Sequence, residues 1–398
     1  MSDNTRPVSL LLNIAHALDH LFLLVFATAV ASIATDFGYA RWEDLMPFGV
    51  GAFFLFGIGS LPSGRLGDLW GRRQMMLIFF FGIGAAAILT AFVGNAWQLA
   101  AALSLIGLFA SIYHPVGIPM LIQNARNPGA TIGVNGLAGN LGIAVAAILT
   151  GLLVKWFGWR VAFAVPGVIS LLCGVWFLMV SERETESPSK RSKKAPVKLT
   201  KAALARAFGV MTIAAITASL LFNFTTNGNG QLLKERMQGI VTDPASLGML
   251  LASVYAIASF SQLFVGKMID RYPLKRLFLI ILLAQAPVLF LSAHATGWSL
   301  YILLTLAMAL IFGAIPFTDA MIARYIDDRL RSRVSGVRLT VSFGISSLAV
   351  WLLGPVVKAA GFSSLLLAMA VIALMTLGAV FLLPDEQTSI EPVGAKAA

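Results

Sequence analysis

Charge is what this chain lacks. Only 12% of its 398 residues are Asp, Glu, Lys or Arg, against about 25% in an ordinary soluble domain, and 58% are hydrophobic. A water-solvated globule of this length needs many more polar residues to cover its surface, so a soluble enzyme is excluded and solvation by lipid is implied. The single cysteine, Cys173, rules out any intrachain disulfide and leaves the redox compartment unreadable. Acids are scarcer than bases, 18 against 29, for a net charge of +11. In a soluble chain that excess would suggest nucleic acid. In a membrane chain it collects in cytoplasmic loops, so its placement is what matters.

What is present is a succession of apolar runs of about 20 residues, the length that crosses a hydrocarbon core of ~30 Å. They lie near 10–34, 44–64, 74–94, 97–121, 132–154, 161–180, 207–232, 246–266, 276–295, 299–322, 335–357 and 362–383, which predicts about twelve spanning helices. The first run is too long for a removable signal peptide and reads as a mature helix. One hydrophilic stretch, 181–206, carries Lys190, Arg191, Lys193 and Lys194 between the sixth and seventh runs. It divides the chain into a first six-helix half (1–180), a basic linker (181–206), a second half (207–384) and a tail (385–398). With the N-terminus inside, 23 of the 29 cations fall in inside segments and 6 outside, which places both termini and the linker in the cytoplasm. Topology therefore accounts for the net charge without a nucleic-acid partner.

The halves repeat. Gly64, Asp68 and Arg73 match Gly266, Asp270 and Lys275 at an offset of 202, and Gly133-Val134 matches Gly336-Val337 at 203. Duplicated six-helix halves are a known transporter plan, with substrate bound near midplane between the repeats. The loop Gly64…Asp68…Gly71-Arg72-Arg73, with its weaker second copy, resembles the signature of the major facilitator superfamily. The resemblance covers essentially the whole chain. It implies an all-α membrane fold of two pseudo-symmetric halves in a bacterial inner membrane. In that family the cluster Gly64, Asp68, Gly71, Arg72 and Arg73, with Gly266, Asp270 and Lys275, acts as a cytoplasmic latch between the halves. Locally, Gly64 permits close helix approach and Asp68 is expected to cap a helix start and pair with Arg72 or Arg73.

A narrower resemblance, to the fosmidomycin-resistance branch of drug:proton antiporters, rests on His16 with a nearby acid, on Tyr113-His114-Pro115 and on Gly139-Asn140. The chain departs from that branch at His20, where the branch has its acid, at Val116 and at Ala146-Ala147.

Of the eighteen acids, only Asp19 and Asp319 lie in the interior of the runs, with three of the four histidines, His16, His20 and His114. An Asp at the bilayer centre costs about 2.5–3.5 kcal/mol on insertion scales, so such residues usually face a cavity and carry function. His16, Asp19 and His20 stand at i, i+3, i+4 and share one helix face. Counted from the cytoplasmic ends, Asp19 and His114 are both roughly 10–14 Å deep, so they can meet. The cluster suits proton coupling, since imidazole titrates near pH 6.5 in water. Two other readings stand beside it: a structural Asp–His pair, and a divalent-metal site in which His16 and His20, one turn apart, supply two imidazoles.

Asp319, near the end of helix ten, is expected near Arg324 or Arg338, as an ion pair or a substrate contact. Asn223 to Gly230 holds amides, hydroxyls and Gly-Asn-Gly in helix seven, and predicts a break, a hinge or a substrate contact; a frayed helix end is the simpler reading. Pro115, Pro119 and Pro316 are expected to kink cavity helices. Tyr113, Asn140, Asn223, Asn227 and Asp319 are the expected substrate-cavity residues.

These features predict a monomeric secondary transporter that exports small organic compounds by exchange for protons. Proton-coupled uptake and divalent metal efflux through His16, Asp19, His20 and His114 are the alternatives. No cofactor is expected. No nucleotide-binding glycine loop or nucleophile elbow is present to suggest an enzyme.

Overall fold

The computed structural model describes residues 5–123, 128–182, 201–269, 271–325 and 328–383; Asp270, and the side chains of Asp319 and Arg324, lie outside the described residues. No strand occurs among them. In hydrocarbon every backbone N–H and C=O needs an internal partner, and apolar runs of this length meet that requirement as helices.

The first half comprises α1 (Thr5–Asp36), α2 (Trp42–Leu45), α3 (Val50–Trp70), α4 (Arg72–Thr90), α5 (Ala96–Ala110), α6 (Ile118–Ile122), α7 (Pro128–Phe157) and α8 (Trp159–Val180). A π-helical turn, Tyr113–Gly117, joins α5 to α6. The second half comprises α9 (Lys201–Arg236), α10 (Pro244–Ile269), α11 (Leu274–His294), α12 (Gly297–Tyr325) and α13 (Asp328–Phe381).

Eleven helices among the described residues are long and apolar enough to cross a membrane, and the last hydrophobic segment, Arg338–Phe381, runs to 44 residues. A straight helix of that length would span roughly 66 Å, twice the hydrocarbon core. Gly361 resolves the excess. Its φ of 74° and ψ of 170° lie in a region that L side chains avoid, and they break α13 into the eleventh and twelfth crossings that the sequence predicts. Large apolar side chains such as Ile280, Ile302 and Phe264 are 64–66% exposed, which fits a surface in contact with lipid. The protein is an integral membrane protein.

The halves meet along two seams, α7 against α10 and α3 against α13. At the end carrying Tyr39, Gly158, Gly239 and Gly361, hereafter the far end, both seams are closed. Lys155 on α7 pairs with Asp243 ahead of α10 at 2.7 Å. Lys358 on α13 pairs with Asp44 on α2. A Cβ on Gly151 would lie 2.8 Å from the Pro244 carbonyl oxygen, and one on Gly354 would overlap the Glu43 carbonyl oxygen. Lys155 and Lys358 are 203 positions apart, as are Gly151 and Gly354. The far-end closure is thus one glycine-and-lysine device, built once in each half. At the other end, which carries Gly71 and Ser181 and is hereafter the linker end, no described atom comes within 4 Å of a Cβ placed on Gly133 or Gly266, which lie on the α7–α10 seam.

Candidate functional site

The site is built where α1 passes the π-helical turn. Pro115 has no N–H to give to the helix ladder, and the chain passes through a wider turn before α6 resumes. His114, in that turn, places Nε2 3.5 Å from Oδ2 of Asp19 on α1. Asp19 is wholly buried and neither carboxylate oxygen has a hydrogen-bond partner. A buried carboxylate without donors must be neutralised by its own proton or by a charged imidazole, because an isolated charge there is prohibitively costly.

The α1 histidines are held differently. Nδ1 of His16 donates to the Asn135 carbonyl oxygen at 2.7 Å, so in the neutral ring Nε2 is left as an acceptor. Nε2 of His20, 3.1 Å away, is then the donor to it. Asn135 on α7 is itself fixed, since its Nδ2 donates to Oδ1 of Asn13 at 2.9 Å and to the Tyr113 hydroxyl at 2.7 Å. Tyr113 stacks on His16 at 4.8 Å between centroids, and His114 meets His16 edge-on at 5.1 Å. Gly139 is required here. A Cβ on it would lie 2.6 Å from the His16 ring, so α7 approaches α1 only where a side chain is absent.

The second half reaches this cluster at two points near mid-seam. Phe343 of α13 packs on Phe56 of α3 at 4.0 Å and lies 6.0 Å from the His114 ring. On the other seam, Nδ2 of Asn140 donates to Oε1 of Gln262 on α10.

Residues 12–241 and 231–398 match the Major Facilitator Superfamily. The chain belongs to that superfamily. It is 24% identical over 288 residues to the multidrug resistance protein MdtG of Citrobacter koseri, covering 71% of this chain and 70% of that protein. It is 26% identical over 226 residues to the uncharacterized MFS-type transporter YybF of Bacillus subtilis (strain 168), covering 55% of this chain and 54% of YybF, about half its length. A crystal structure of a bacterial homologue of the human lysosomal transporter Spinster, in an inward-facing and occupied conformation, shares the fold with a TM-score of 0.78. That likeness covers 99% of this chain and 100% of the other at 14% identity. Superfamily members move small molecules across membranes and are transporters rather than enzymes.

Within the superfamily fold, the remaining expected residues divide. The signature arginines work inside the first half. Arg73 donates through Nε to the carbonyl and hydroxyl oxygens of Ser181 at 2.9 and 3.0 Å and through Nη2 to the Leu178 carbonyl at 3.0 Å, which satisfies open acceptors at the end of α8. Arg72 donates to the Pro119 carbonyl and to Oε1 of Gln123. The N-cap of α4 is Gly71 at φ 98°, so Asp68, one turn earlier in α3, is not the capping residue expected. Gly64 faces Pro115 and Gly266 faces open space, while Lys275 begins the second turn-to-helix copy in α11. Asp270 and the side chain of Asp319 lie outside the described residues; Arg338 donates to the Thr318 hydroxyl at 2.7 Å.

The expected break at 223–230 is absent, since α9 is continuous through it. Asn223, Thr225, Thr226 and Asn227 each bond back to the carbonyl four residues earlier, at 2.7–3.0 Å, so their polar groups are satisfied by the helix itself. Asn223 also donates to Ser346 of α13 at 2.7 Å, which makes it a packing contact within the second half. Asn13, Asn135 and Gln262 were not singled out by sequence, because uncharged amides in lipid carry no distinguishing cost until their partners are known.

Proposed function

We propose that this chain is a secondary transporter that exports small amphipathic organic compounds in exchange for protons, by alternating access, with Asp19 and His114 carrying the coupling proton. The observation that carries this reading is the buried Asp19 carboxylate, which has no hydrogen-bond partner and stands 3.5 Å from an imidazole of limited exposure. A proton arriving or leaving there changes the net charge of the cavity wall and so biases one access state over the other. Export is favoured over uptake by the likeness to a multidrug resistance protein. The rings of Phe56, Tyr113 and Phe343 around the site favour neutral or cationic amphipaths.

The sorting of Lys and Arg supports a cytoplasmic linker and termini in a bacterial inner membrane. With the linker inside, seams closed at the far end and an α7–α10 seam open toward the linker end support an inward-facing state.

Purified protein in liposomes with an imposed pH gradient, tested against a panel of antibiotics and organic cations, provides the test. Wild type is expected to accumulate substrate against its gradient, and Asp19→Asn to lose that accumulation while retaining substrate counterflow. Gradient-driven accumulation by Asp19→Asn equal to wild type would overturn the assignment, and counterflow alone in wild type would overturn proton coupling.

A further inference from the structure

Three imidazoles converge with one ring nitrogen each, all within 4.8 Å of one another: His16 and His20 on α1 and His114 in the π-helical turn. We propose that these three histidines form a binding site for one divalent transition-metal ion of the Zn²⁺ or Co²⁺ class.

The donor set selects the class. Three nitrogens and no thiolate suit Zn²⁺, Co²⁺ or Ni²⁺, whereas Mg²⁺ and Ca²⁺ require oxygen cages. The spacing of the α1 pair fits as well, and the His114 ring closes on it from within 4.8 Å. Two nitrogens at 2.0–2.1 Å from a tetrahedral ion stand about 3.3 Å apart, and Nε2 of His16 and Nε2 of His20 are 3.1 Å apart. Histidines at i and i+4 of one helix supply adjacent ligands in known zinc sites. His16 is already oriented, because its Nδ1 donates to the Asn135 carbonyl and leaves Nε2 as the donor to a metal. A hydrogen bond of this kind is the usual outer-shell support of a metal-bound imidazole. Binding at Nε2 of His20 moves that ring's proton from Nε2 to Nδ1, so neutral rings bind without net deprotonation. His20 and His114 are only partly buried, so the site is reachable.

All these ligands belong to the first half, and an ion held by them stays within that half. That arrangement favours a resident ion over a cargo handed between halves. It rests on histidine geometry, and with an ion held by His114 the coupling proton is left to Asp19 alone.

The experiment uses full-length protein freed of any affinity tag, stripped with chelator and titrated in detergent with Co²⁺ and then Zn²⁺. Wild type is expected to retain one ion per chain through gel filtration, with the visible absorption of low-symmetry Co²⁺. His16→Ala, His20→Ala and His114→Ala are each expected to lose at least tenfold in affinity, while His294→Ala, the remaining histidine, keeps wild-type binding. X-ray absorption of the wild-type Co²⁺ complex needs no variant and is expected to show imidazole scattering. Wild-type binding no greater than in the triple alanine variant, loss of binding in His294→Ala, or an all-oxygen first shell would each overturn the site. None of these measurements involves transport, so their outcome is separate from that of the coupling assignment.

Discussion

The two seams between the halves descend from one repeat, yet they agree at the far end and diverge at mid-membrane. At the far end each seam has a glycine pressed on backbone and a lysine paired with an aspartate across the halves. Halfway along, Asn140 and Phe343, again 203 positions apart, do different work. Asn140 donates to Gln262 and ties α7 to α10, whereas Phe343 packs on Phe56 and lies over His114. Closure is symmetric where it only has to seal. It is asymmetric where it meets the Asp19 carboxylate, which is buried in the first half.

The glycines should matter most. Gly354→Val places branched carbons where the Glu43 carbonyl oxygen lies, and Gly151→Val does the same against Pro244. Overpacking of this kind costs about 1–3 kcal/mol, which corresponds to a roughly 5–150-fold change in a two-state balance. Electron–electron distance measurements between labels at Ala40 and Ala359, or at Trp156 and Ile240, are expected to show the far end opening in both variants. An effect at Gly354 with none at Gly151 would show that the closure is not a two-fold device.

Next come the mid-seam residues. Phe343→Ala removes an aromatic pair worth about 0.5–1.5 kcal/mol beyond its buried area and uncovers His114. It is expected to change the pH dependence of transport. Asn140→Ala leaves the Gln262 oxygen without its donor, a loss of about 1–3 kcal/mol where the site is dry, and is expected to weaken seam contact while leaving the pH profile in place. Equal pH profiles in the two variants would remove the functional part of the contrast.

The legibility of these features in sequence follows the same divide. Long apolar runs, the linker and the 202–203 offset are visible because membrane thickness and duplication impose fixed lengths. His16, Asp19, His20 and His114 stand out because charge is scarce in lipid, and helix arithmetic put Asp19 and His114 level. The seams do not stand out. Nothing local marks Gln262 as the partner of Asn140, or Asn135 as the residue that orients His16, since amides are cheap in a helix and acquire meaning only from a neighbour some 120 positions away. The polar run 223–230 misled for the opposite reason. Asn223, Thr225, Thr226 and Asn227 look unsatisfied in sequence but bond back to their own helix.

The far-end ion pairs should have the smallest effect. Their side chains are between about a third and a half exposed, and pairs of that kind contribute little to stability, less still in salt. Lys155→Ala or Lys358→Ala alone is therefore expected to leave far-end distances near wild type at physiological ionic strength. The pH response is fixed in sign. Hydrogen bonding from Lys155, and then from the backbone of Ser246, holds Asp243 below the usual carboxylate range. A depressed carboxylate contributes its stabilisation fully above the unfolded value, near 3.9, and loses it as pH falls through the lower folded value. Moving the pH on the far side from 8 to 5.5 therefore leaves the pair ionised, and the Trp156–Ile240 label distance is expected to stay fixed across that interval. A far end that opened within it would place a proton-sensitive element in the seal itself and end the separation drawn between a passive outer closure and a proton-bearing centre.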